Sequence, residues 1–268
     1  MQSALLKSES VSEQDRHPLP LAGALIVNAD DWGRDRSNTD RILECIRKRS
    51  VSSTSAMVFM EDSERAAAIA REQNVDAGLH VNFTTKFSAN GCSSRLLEHQ
   101  AKITNYLLRH RFARTIFHPG LASSFKYVMS AQLDEFSRLY GAAPKRLDGH
   151  HHMHLCANVL MMGLLPADTI VRRNFSFHPG EKSGLNRFYR KLSDRRLSKR
   201  HRNVDLFFSI EPLADRQRLL RILDLAKHQV VELETHPVNS DEYAFLTSGE
   251  FAQLTESVVC KSFACYFN

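Results

Sequence analysis

Short runs of β-branched and aliphatic residues alternate with helix-like segments along most of this chain. A strand, a helix and a second strand in succession are typical of a parallel sheet or barrel, because the helix returns the chain to the edge where the next parallel strand begins. The sequence therefore predicts an α/β fold. Seven strands are predicted, with an eighth near the C-terminus: Ala24–Asn28, Thr54–Phe59, Ala77–Val81, Arg146–Asp148, Thr169–Arg172, Val204–Ile210, Val230–Glu234 and Phe263–Phe267.

Five segments have the pattern of amphipathic helices, with apolar residues gathered on one face. A helix over Ser130–Tyr140, for example, is followed by Gly141 and Pro144, which is the usual order of residues beyond a helix C-terminus. The other predicted helices are Thr39–Lys48, Ser63–Glu72, Arg95–Arg111 and Asp215–Lys227.

The chain has 268 residues, a length that one α/β barrel domain can account for. Residues 1–20 have no contiguous apolar run, and we expect a flexible extension there. Residues 21–268 are predicted to form a single domain. Within it, residues 177–203 are rich in Arg and Lys and poor in apolar side chains, which indicates an insertion or a long loop.

No apolar run approaches the roughly 18 residues that a membrane-spanning helix needs. The N-terminal residues also lack the apolar core of a secretory signal. Five cysteines are scattered along the chain without a Cys-x-x-Cys pair, a pattern that disfavours both a disulfide framework and a thiolate zinc site. The expected compartment is the reducing cytoplasm.

The net charge of +6 is concentrated in one short segment. Residues 187–202 hold eight Arg or Lys and one Asp, so this segment carries +7 and the rest of the chain −1. A charge run is commonly a solvated surface, but one this concentrated also suits an anionic partner. The sequence predicts that residues 187–202 contact either an anionic membrane or a phosphate-bearing sugar.

Four polar clusters follow predicted strands at the point where each strand ends. The carboxyl ends of parallel strands meet at one edge of a sheet or one mouth of a barrel, where α/β enzymes assemble their sites. One pocket is therefore expected to collect all four clusters, which are Asn28–Asp31, Gly78–His80, Asp148–His154 and Glu234–Pro237.

Two of these clusters indicate a metal ion. Asp30 and Asp31 place adjacent carboxylates after an apolar strand, where they repel one another unless they share a cation or a proton. In an extended chain, His150, His152 and His154 share one face because alternate residues point the same way. Imidazoles combined with a carboxylate suit zinc, iron, nickel or cobalt and leave positions open for water and substrate.

The sequence lacks the motifs of several other enzyme classes. It has no Gly-x-Ser-x-Gly elbow, P-loop or Gly-x-Gly-x-x-Gly, so hydrolysis by a metal-bound water is the favoured chemistry. One alternative is a metal-dependent phosphoester hydrolase with Arg172 or Arg173 as its phosphate clamp. Another is a non-enzymatic protein that binds through its basic segment. Nucleic acid is not an expected partner, because that segment has only Phe188 and Tyr189 for base stacking.

The ordered motifs of the chain resemble those of the YdjC-like carbohydrate deacetylases. This group contains chitooligosaccharide deacetylases and relatives associated with hopanoid biosynthesis. The resemblance extends from about residue 24 to residue 240. The motifs that carry it are Leu25–Gly33, Ser52–Met57, Gly78–His80, Leu147–His154 and His236–Pro237.

The resemblance implies an irregular TIM-like (β/α) barrel of seven or eight mostly parallel strands that removes acetyl from an N-acetylated sugar. It also implies one divalent metal ion, with Mg²⁺ suggested and Zn²⁺, Co²⁺ or Ni²⁺ as alternatives. The sugar is left open: it is chito-oligosaccharide-like, or it is linked to a lipid or a phosphate. Carried over by position, the ligands are Asp31, His80 and His150, the general base is Asp30, the general acid is His236, and the remaining site residues are Arg172, His152, His154 and Asp148.

Overall fold

A computed structural model describes residues 23–110, 112–177, 190 and 193–267. Its centre is one sheet of seven strands, in the spatial order β5-β4-β3-β2-β1-β7-β6, and all neighbouring strands are parallel. The strands are β1 (Ala24–Trp32), β2 (Ser53–Ala56), β3 (Ala77–Val81), β4 (Arg146–Gly149), β5 (Ile170–Val171), β6 (Leu206–Ser209) and β7 (Val230–Thr235).

Helices follow most of the strands, and their ends are fixed by local hydrogen bonds. The Asp35 carboxylate accepts a bond from the N–H of Asn38 at the start of α1, and Gly141 ends α4 with a left-handed φ of 78°. The helices are α1 (Arg36–Arg47), α2 (Ser63–Gln73), α3 (Ser94–Leu107), α4 (Ala122–Tyr140), α5 (Ala157–Met162), α6 (Arg216–Ala226), α7 (Ser240–Leu246), α8 (Gly249–Thr255) and α9 (Phe263–Phe267).

The sheet curls toward a barrel, and the chain beyond β5 approaches β6. The N–H of Ser176 donates to the carbonyl of Phe207 over 2.7 Å, and the N–H of Phe207 donates to Ser176 Oγ over 3.2 Å. A ladder between β5 and β6 is absent from the described part of the chain, so these bonds connect the two edges of the sheet instead. Seven parallel strands with intervening helices confirm the predicted TIM-like (β/α) fold.

Several strand predictions differ from the structure in type or length: the strand predicted over Ala24–Asn28 continues to Trp32, the one predicted over Val204–Ile210 is Leu206–Ser209, and two others differ as follows. Phe263–Phe267 is helical because Ser262 Oγ accepts the N–H of Cys265, and because Phe263 and Phe267 stack at i and i+4. The strand expected to run to Phe59 ends at Ala56, and Phe59 itself has a left-handed φ of 59°, which lies outside the extended range of a regular strand.

The structure describes only part of the segments predicted to be an N-terminal extension and an insertion. The expected extension at residues 1–20 lies outside the described residues. In the predicted insertion, residues 178–189, 191 and 192 also lie outside them, whereas Arg190 and residues 193–202 of the basic segment are described. Among the described helices, none has both the length and the apolar character needed to cross a membrane.

The core has two parts with different chemistry. Apolar side chains fill the space between the sheet and the helices around it, with Trp32, Phe83 and Phe125 among the largest that are fully buried. Within the curl of the sheet, the strands instead bury polar side chains. These are Asn28, Asp30, Ser55, His80, Arg146, Asp148, Glu232 and Glu234.

Candidate active site

The end of β1 directs two adjacent carboxylates into the same pocket. Neighbouring residues of a regular strand point to opposite faces, but the pairing of β1 is irregular between Ala29 and Trp32. Asp31 has a left-handed φ of 70°, a conformation that a non-glycine residue rarely adopts. This turn lets both Asp30 and Asp31 approach the His80 imidazole.

Three side chains from three strand ends form the cluster that we call the metal triad: Asp31, His80 and His150. Asp31 Oδ1 lies 2.9 Å from His150 Nδ1 and 3.4 Å from His80 Nε2. All three residues are buried, and one potential ligand atom of each lies within 4.8 Å of the others. Asp31 Oδ1 nevertheless makes no hydrogen bond of acceptable geometry. A buried, unbonded oxygen facing two imidazole nitrogens fits a divalent cation.

Asp148 orients the His80 ring. Its Oδ1 lies 2.7 Å from His80 Nδ1, so Nδ1 carries the shared proton and Nε2 faces Asp31. The other oxygen of Asp148 accepts bonds from Ser55 Oγ over 2.6 Å and from Arg146 Nη1 over 3.0 Å. The resemblance implied a site role for Asp148, and its position beside His80 fits a supporting one.

The electrostatics of the metal triad favour a positive charge. Burial lowers the pKa of the His80 imidazole, but the carboxylates of Asp30 and Asp148 outweigh burial and raise that pKa to about 10. Burial raises the pKa of Asp31, but the adjacent imidazoles of His150 and His80 outweigh burial and hold that pKa well below its usual range. The metal triad is therefore more stable when it holds a cation, either a proton or a metal ion, than when it holds none.

Asp30 is held by a two-pronged ion pair with Arg172. Both guanidinium Nη atoms donate to its carboxylate oxygens over 2.7 Å, and Asn28 Nδ2 donates to Oδ1 over 2.8 Å. Although burial raises the pKa of Asp30, the charge of Arg172 outweighs burial and holds that pKa well below its usual range. His236 Nε2 lies 4.0 Å from Asp30 Oδ2, on the more exposed side of the pocket. Asp30 is therefore an ionised, immobile carboxylate beside the metal triad.

The Arg172 side chain is 1% exposed and contacts three further carboxylates. Its Nε lies 2.7 Å from Glu232, its Nη1 3.1 Å from Glu234 and its Nη2 3.1 Å from Asp148. Burial, followed by the charge of Asp30, raises the pKa of Glu234 well above its usual value. Sequence reasoning placed Glu234 at a strand end but assigned no role to it or to Glu232. The signal was present, because these two acids occupy alternate positions in an otherwise apolar strand.

The prediction that His150, His152 and His154 converge was wrong. His150–Leu155 is a 3-10 turn in which His151 and His152 have left-handed φ angles of 54° and 57°, so the extended alternation does not apply. His152 lies 3.7 Å from Glu234 and contacts the Phe175 ring. His154 is fully buried, and its Nε2 donates to the carbonyl of Arg172 over 3.0 Å. Burial lowers the pKa of His154 to about 4. His150 alone of this run joins the metal triad.

His236 is positioned by an acid that sequence reasoning missed. The backbone N–H of His236 donates to Glu242 Oε2 over 2.6 Å, and Glu242 lies in the first turn of α7 with its side chain buried. The His236 ring is 39% exposed, and burial lowers its pKa. Nothing in the local sequence distinguishes Glu242 from a solvated acid at a helix N-terminus.

Glu242 predicts a pH dependence of stability. Burial raises its pKa from 4.5 to about 7, so its contribution to stability is fully present below pH 4.5 and is lost as the pH rises through 7. Glu242→Gln keeps an oxygen acceptor for His236 and removes the titration. Between these pH values, we expect the free energy of unfolding of the wild type to fall relative to that of Glu242→Gln in urea titrations. The exposed Glu256→Gln serves as control, and parallel curves for all three proteins would contradict the prediction.

Comparison with known proteins places this arrangement in a family. The sequence profile described as "YdjC-like protein" matches residues 24–257. The chain belongs to the YdjC-like family. This confirms the resemblance drawn from the motifs.

Similar proteins with curated names are deacetylases. A "Carbohydrate deacetylase" from Brevibacillus brevis is 29% identical over 234 residues, which is 85% of this chain and 86% of that protein. A "Chitooligosaccharide deacetylase" from Yersinia pestis is 26% identical over 89% of this chain and 90% of its own length. A "Chitooligosaccharide deacetylase" from Proteus mirabilis is 31% identical, but over only 50% of this chain and 51% of that protein.

One solved structure shares the fold over nearly its whole length. It is an Enterococcus faecalis protein provisionally described as a cellobiose-phosphate cleavage protein, and its TM-score is 0.64 at 18% identity. The match covers 91% of this chain and 98% of that chain. The similarity supports the fold assigned here.

Proposed function

We propose that this protein is a metal-dependent hydrolase that removes an acetyl group from an N-acetylated carbohydrate. The observation that carries the proposal is the metal triad, with Asp30 and His236 beside it at the same mouth of the barrel. Full-length relatives named carbohydrate and chitooligosaccharide deacetylases support the enzyme class predicted from the sequence.

The donor set supports a divalent cation held by Asp31, His80 and His150. Two imidazoles and one carboxylate are ligands that suit zinc, cobalt, nickel or iron, whereas Mg²⁺ prefers a shell of oxygens. The Mg²⁺ suggested by the resemblance therefore stays a prediction. When bound, such a cation would polarise the amide carbonyl and lower the pKa of a water molecule beside it.

The side chains around the metal triad account for the proton transfers. Asp30, kept ionised by Arg172, accepts a proton from the attacking water. His236, whose Nε2 lies 4.0 Å from Asp30 Oδ2, delivers a proton to the nitrogen of the leaving amine. The amide C–N bond breaks, water supplies the hydroxyl of the acetate, and the sugar keeps a free amine.

Asp30→Asn is expected to retain the metal and to lose at least about a hundredfold in the rate of acetate release, because general-base assistance contributes about 10² to 10⁴. His236→Ala is expected to behave alike. Neither residue belongs to the metal triad, so metal content measured by atomic emission should match the wild type. Loss of the metal from Asp30→Asn would require the roles of Asp30 and Asp31 to be exchanged.

The structure disfavours the phosphoester alternative. That alternative needs Arg172 or Arg173 to bind a phosphate, but Arg172 is buried among four carboxylates and Arg173 pairs with Asp194 over 3.1 Å. A phosphate entering the pocket would meet carboxylates that already neutralise these arginines.

The proposed function is tested by acetate release from N-acetylated sugars, presented as neutral oligosaccharides, phosphorylated sugars and lipid-linked sugars. Enzyme loaded separately with Zn²⁺, Co²⁺, Ni²⁺ or Mg²⁺ is compared with chelated enzyme. Acetate release that requires the metal and is absent in Asp31→Ala supports the proposal. Phosphate release from phosphorylated sugars without acetate release would replace it with the alternative.

A further inference from the structure

Several of the large apolar side chains that are exposed lie on two segments that are in contact with one another. Four such side chains come from the chain between α3 and α4 and from α5: Leu108, Phe112, Ile116 and Met161 are 58%, 57%, 53% and 65% exposed. We call them the apolar rim. Exposed apolar side chains scattered singly need no explanation, but several on neighbouring segments indicate an interaction surface.

The segments that carry the apolar rim are joined to one another. The N–H of His118 donates to Asn158 Oδ1 over 3.0 Å, and Asn158 Nδ2 donates to the carbonyl of His118 over 2.9 Å. Tyr106 Oη donates to the carbonyl of Ile116 over 2.8 Å. On its other side, α5 shares a cavity of about 200 Å³ with residues 193–201, lined by Met161 together with Arg196 and Arg200. The three segments therefore form one continuous surface.

Basic side chains outnumber acidic ones on the segments that carry the apolar rim and on residues 193–203, which share the cavity with α5. Over residues 108–118, 157–168 and 193–203 the sequence has two acids, Asp168 and Asp194, and the second of these pairs with Arg173. The surface is therefore strongly cationic as well as apolar. Its exposed basic residues include Arg109, Arg114, Arg195, Arg196, Lys199, Arg200 and Arg202.

A groove beside this surface is lined by one of the predicted site residues, His152. It has a volume of about 440 Å³, and its wall includes Phe112 and Arg114 on one side and Arg173 and Phe175 on the other. His152, which lies 3.7 Å from Glu234, also lines it. The groove therefore extends from Phe112 of the apolar rim to His152.

We propose that the apolar rim and its basic border seat the protein on an anionic lipid surface. Apolar side chains that enter the headgroup region and cations that attract anionic lipids are the two components of peripheral membrane binding. The sequence left a membrane and a phosphate-bearing sugar as alternative anionic partners. A soluble sugar phosphate would use the basic residues but would leave the apolar rim in water, so the structure favours the lipid surface.

The test measures co-sedimentation of the whole, metal-loaded chain with two kinds of vesicle. One is phosphatidylcholine alone, and the other contains about 30% phosphatidylglycerol, whose anionic headgroup attracts basic side chains. Wild type is expected to bind the anionic vesicles, and binding should weaken as salt rises. The double variant Ile116→Ser and Met161→Ser, and the quadruple variant Arg195→Gln, Arg196→Gln, Lys199→Gln and Arg200→Gln, should each bind at least about tenfold more weakly.

Matched controls change the same side-chain types elsewhere. Leu220→Ser with Val259→Ser removes two apolar side chains that are 46% and 53% exposed. The quadruple control replaces Arg47, Lys48, Arg49 and Lys145 with Gln. These four residues precede the amino ends of β2 and β4, at the end of the sheet opposite the candidate site. Both controls should bind like wild type, and acetate release from a small neutral sugar should be unchanged in every variant.

Three results would overturn the proposal. The first is the absence of wild-type binding to anionic vesicles. The second is full binding by the Ile116→Ser and Met161→Ser double variant, since a purely electrostatic surface would not need the apolar rim. The third is stabilisation by inorganic phosphate in place of vesicle binding, which would identify a soluble anion as the partner.

Discussion

His150→Ala is expected to be isolated without its stoichiometric metal ion and to release acetate at least about a thousandfold more slowly than wild type. The substitution removes Nδ1, which lies 2.9 Å from Asp31 Oδ1, and leaves two of the three proposed ligands. Asp31→Ala and His80→Ala should give the same result. Metal content by atomic emission and acetate release by coupled assay are measured on the same preparation, and circular dichroism should show an intact fold.

His152→Ala is the matched control for this prediction. It removes an imidazole two residues further along the same turn, but one that faces Glu234 and Phe175 and not the metal triad. Its metal content should equal that of wild type even if its activity changes. Full metal content in His150→Ala, or loss of metal in His152→Ala alone, would refute the ligand assignment.

Arg172→Ala is expected to have the largest effect on stability. The guanidinium is the shared partner of Asp30, Asp148, Glu232 and Glu234, and its removal leaves four buried carboxylates without it. Breaking a buried ion pair from one side is destabilising by about 3–5 kcal/mol, which is a large part of the roughly 5–15 kcal/mol that stabilises a whole domain. Urea unfolding followed by circular dichroism measures the loss.

The neighbouring Arg173→Ala provides the comparison. The Arg173 side chain is 25% exposed and pairs with Asp194, so its loss is expected to change stability by about 1 kcal/mol or less. The deficit of Arg172→Ala relative to wild type should also shrink as the pH falls, because protonation removes the repulsion among the uncompensated carboxylates. Equal free energies of unfolding for the two variants would show that the ion pairs of Arg172 do not stabilise the buried carboxylates.

The fold and the metal triad were accessible from the sequence because they rest on simple periodicities. Alternation of apolar runs and amphipathic segments predicted the parallel sheet, and the rule that carboxyl ends meet at one mouth brought Asp31, His80 and His150 together. The roles of these residues came from the resemblance to the YdjC-like family. The geometry is compatible with those roles and leaves them to the experiments above.

The errors arose where the backbone departs from a regular strand. The prediction for His152 and His154 assumed extended φ angles, but His151 and His152 are left-handed and separate the two rings. Left-handed angles of this kind are stabilised by tertiary contacts, such as the hydrogen bond from His154 Nε2 to the carbonyl of Arg172. The local sequence does not encode those contacts.

The carboxylates inside the barrel were missed for a different reason. Glu232 and Glu234 point inward at every second position of β7, as Asn28 and Asp30 do in β1. The strands were predicted from runs of apolar residues, but here the inward face is polar because Arg172 and Arg146 compensate the buried charge. A search for alternating polar residues within apolar strands would have found them.

The central position of β1 also has a consequence for synthesis of the protein on the ribosome. β1 is among the earliest elements to emerge, but one of its two partners, β7, begins at Val230, and Ala29 is in register with Thr235. Until that point is translated, one edge of β1 has no strand beside it, and Asp30 lacks both Glu234 and His236. Pairing over such sequence separation is slow and leaves the nascent chain open to aggregation. We therefore expect fragments that end before residue 230 to depend on chaperones and to lack hydrolytic activity.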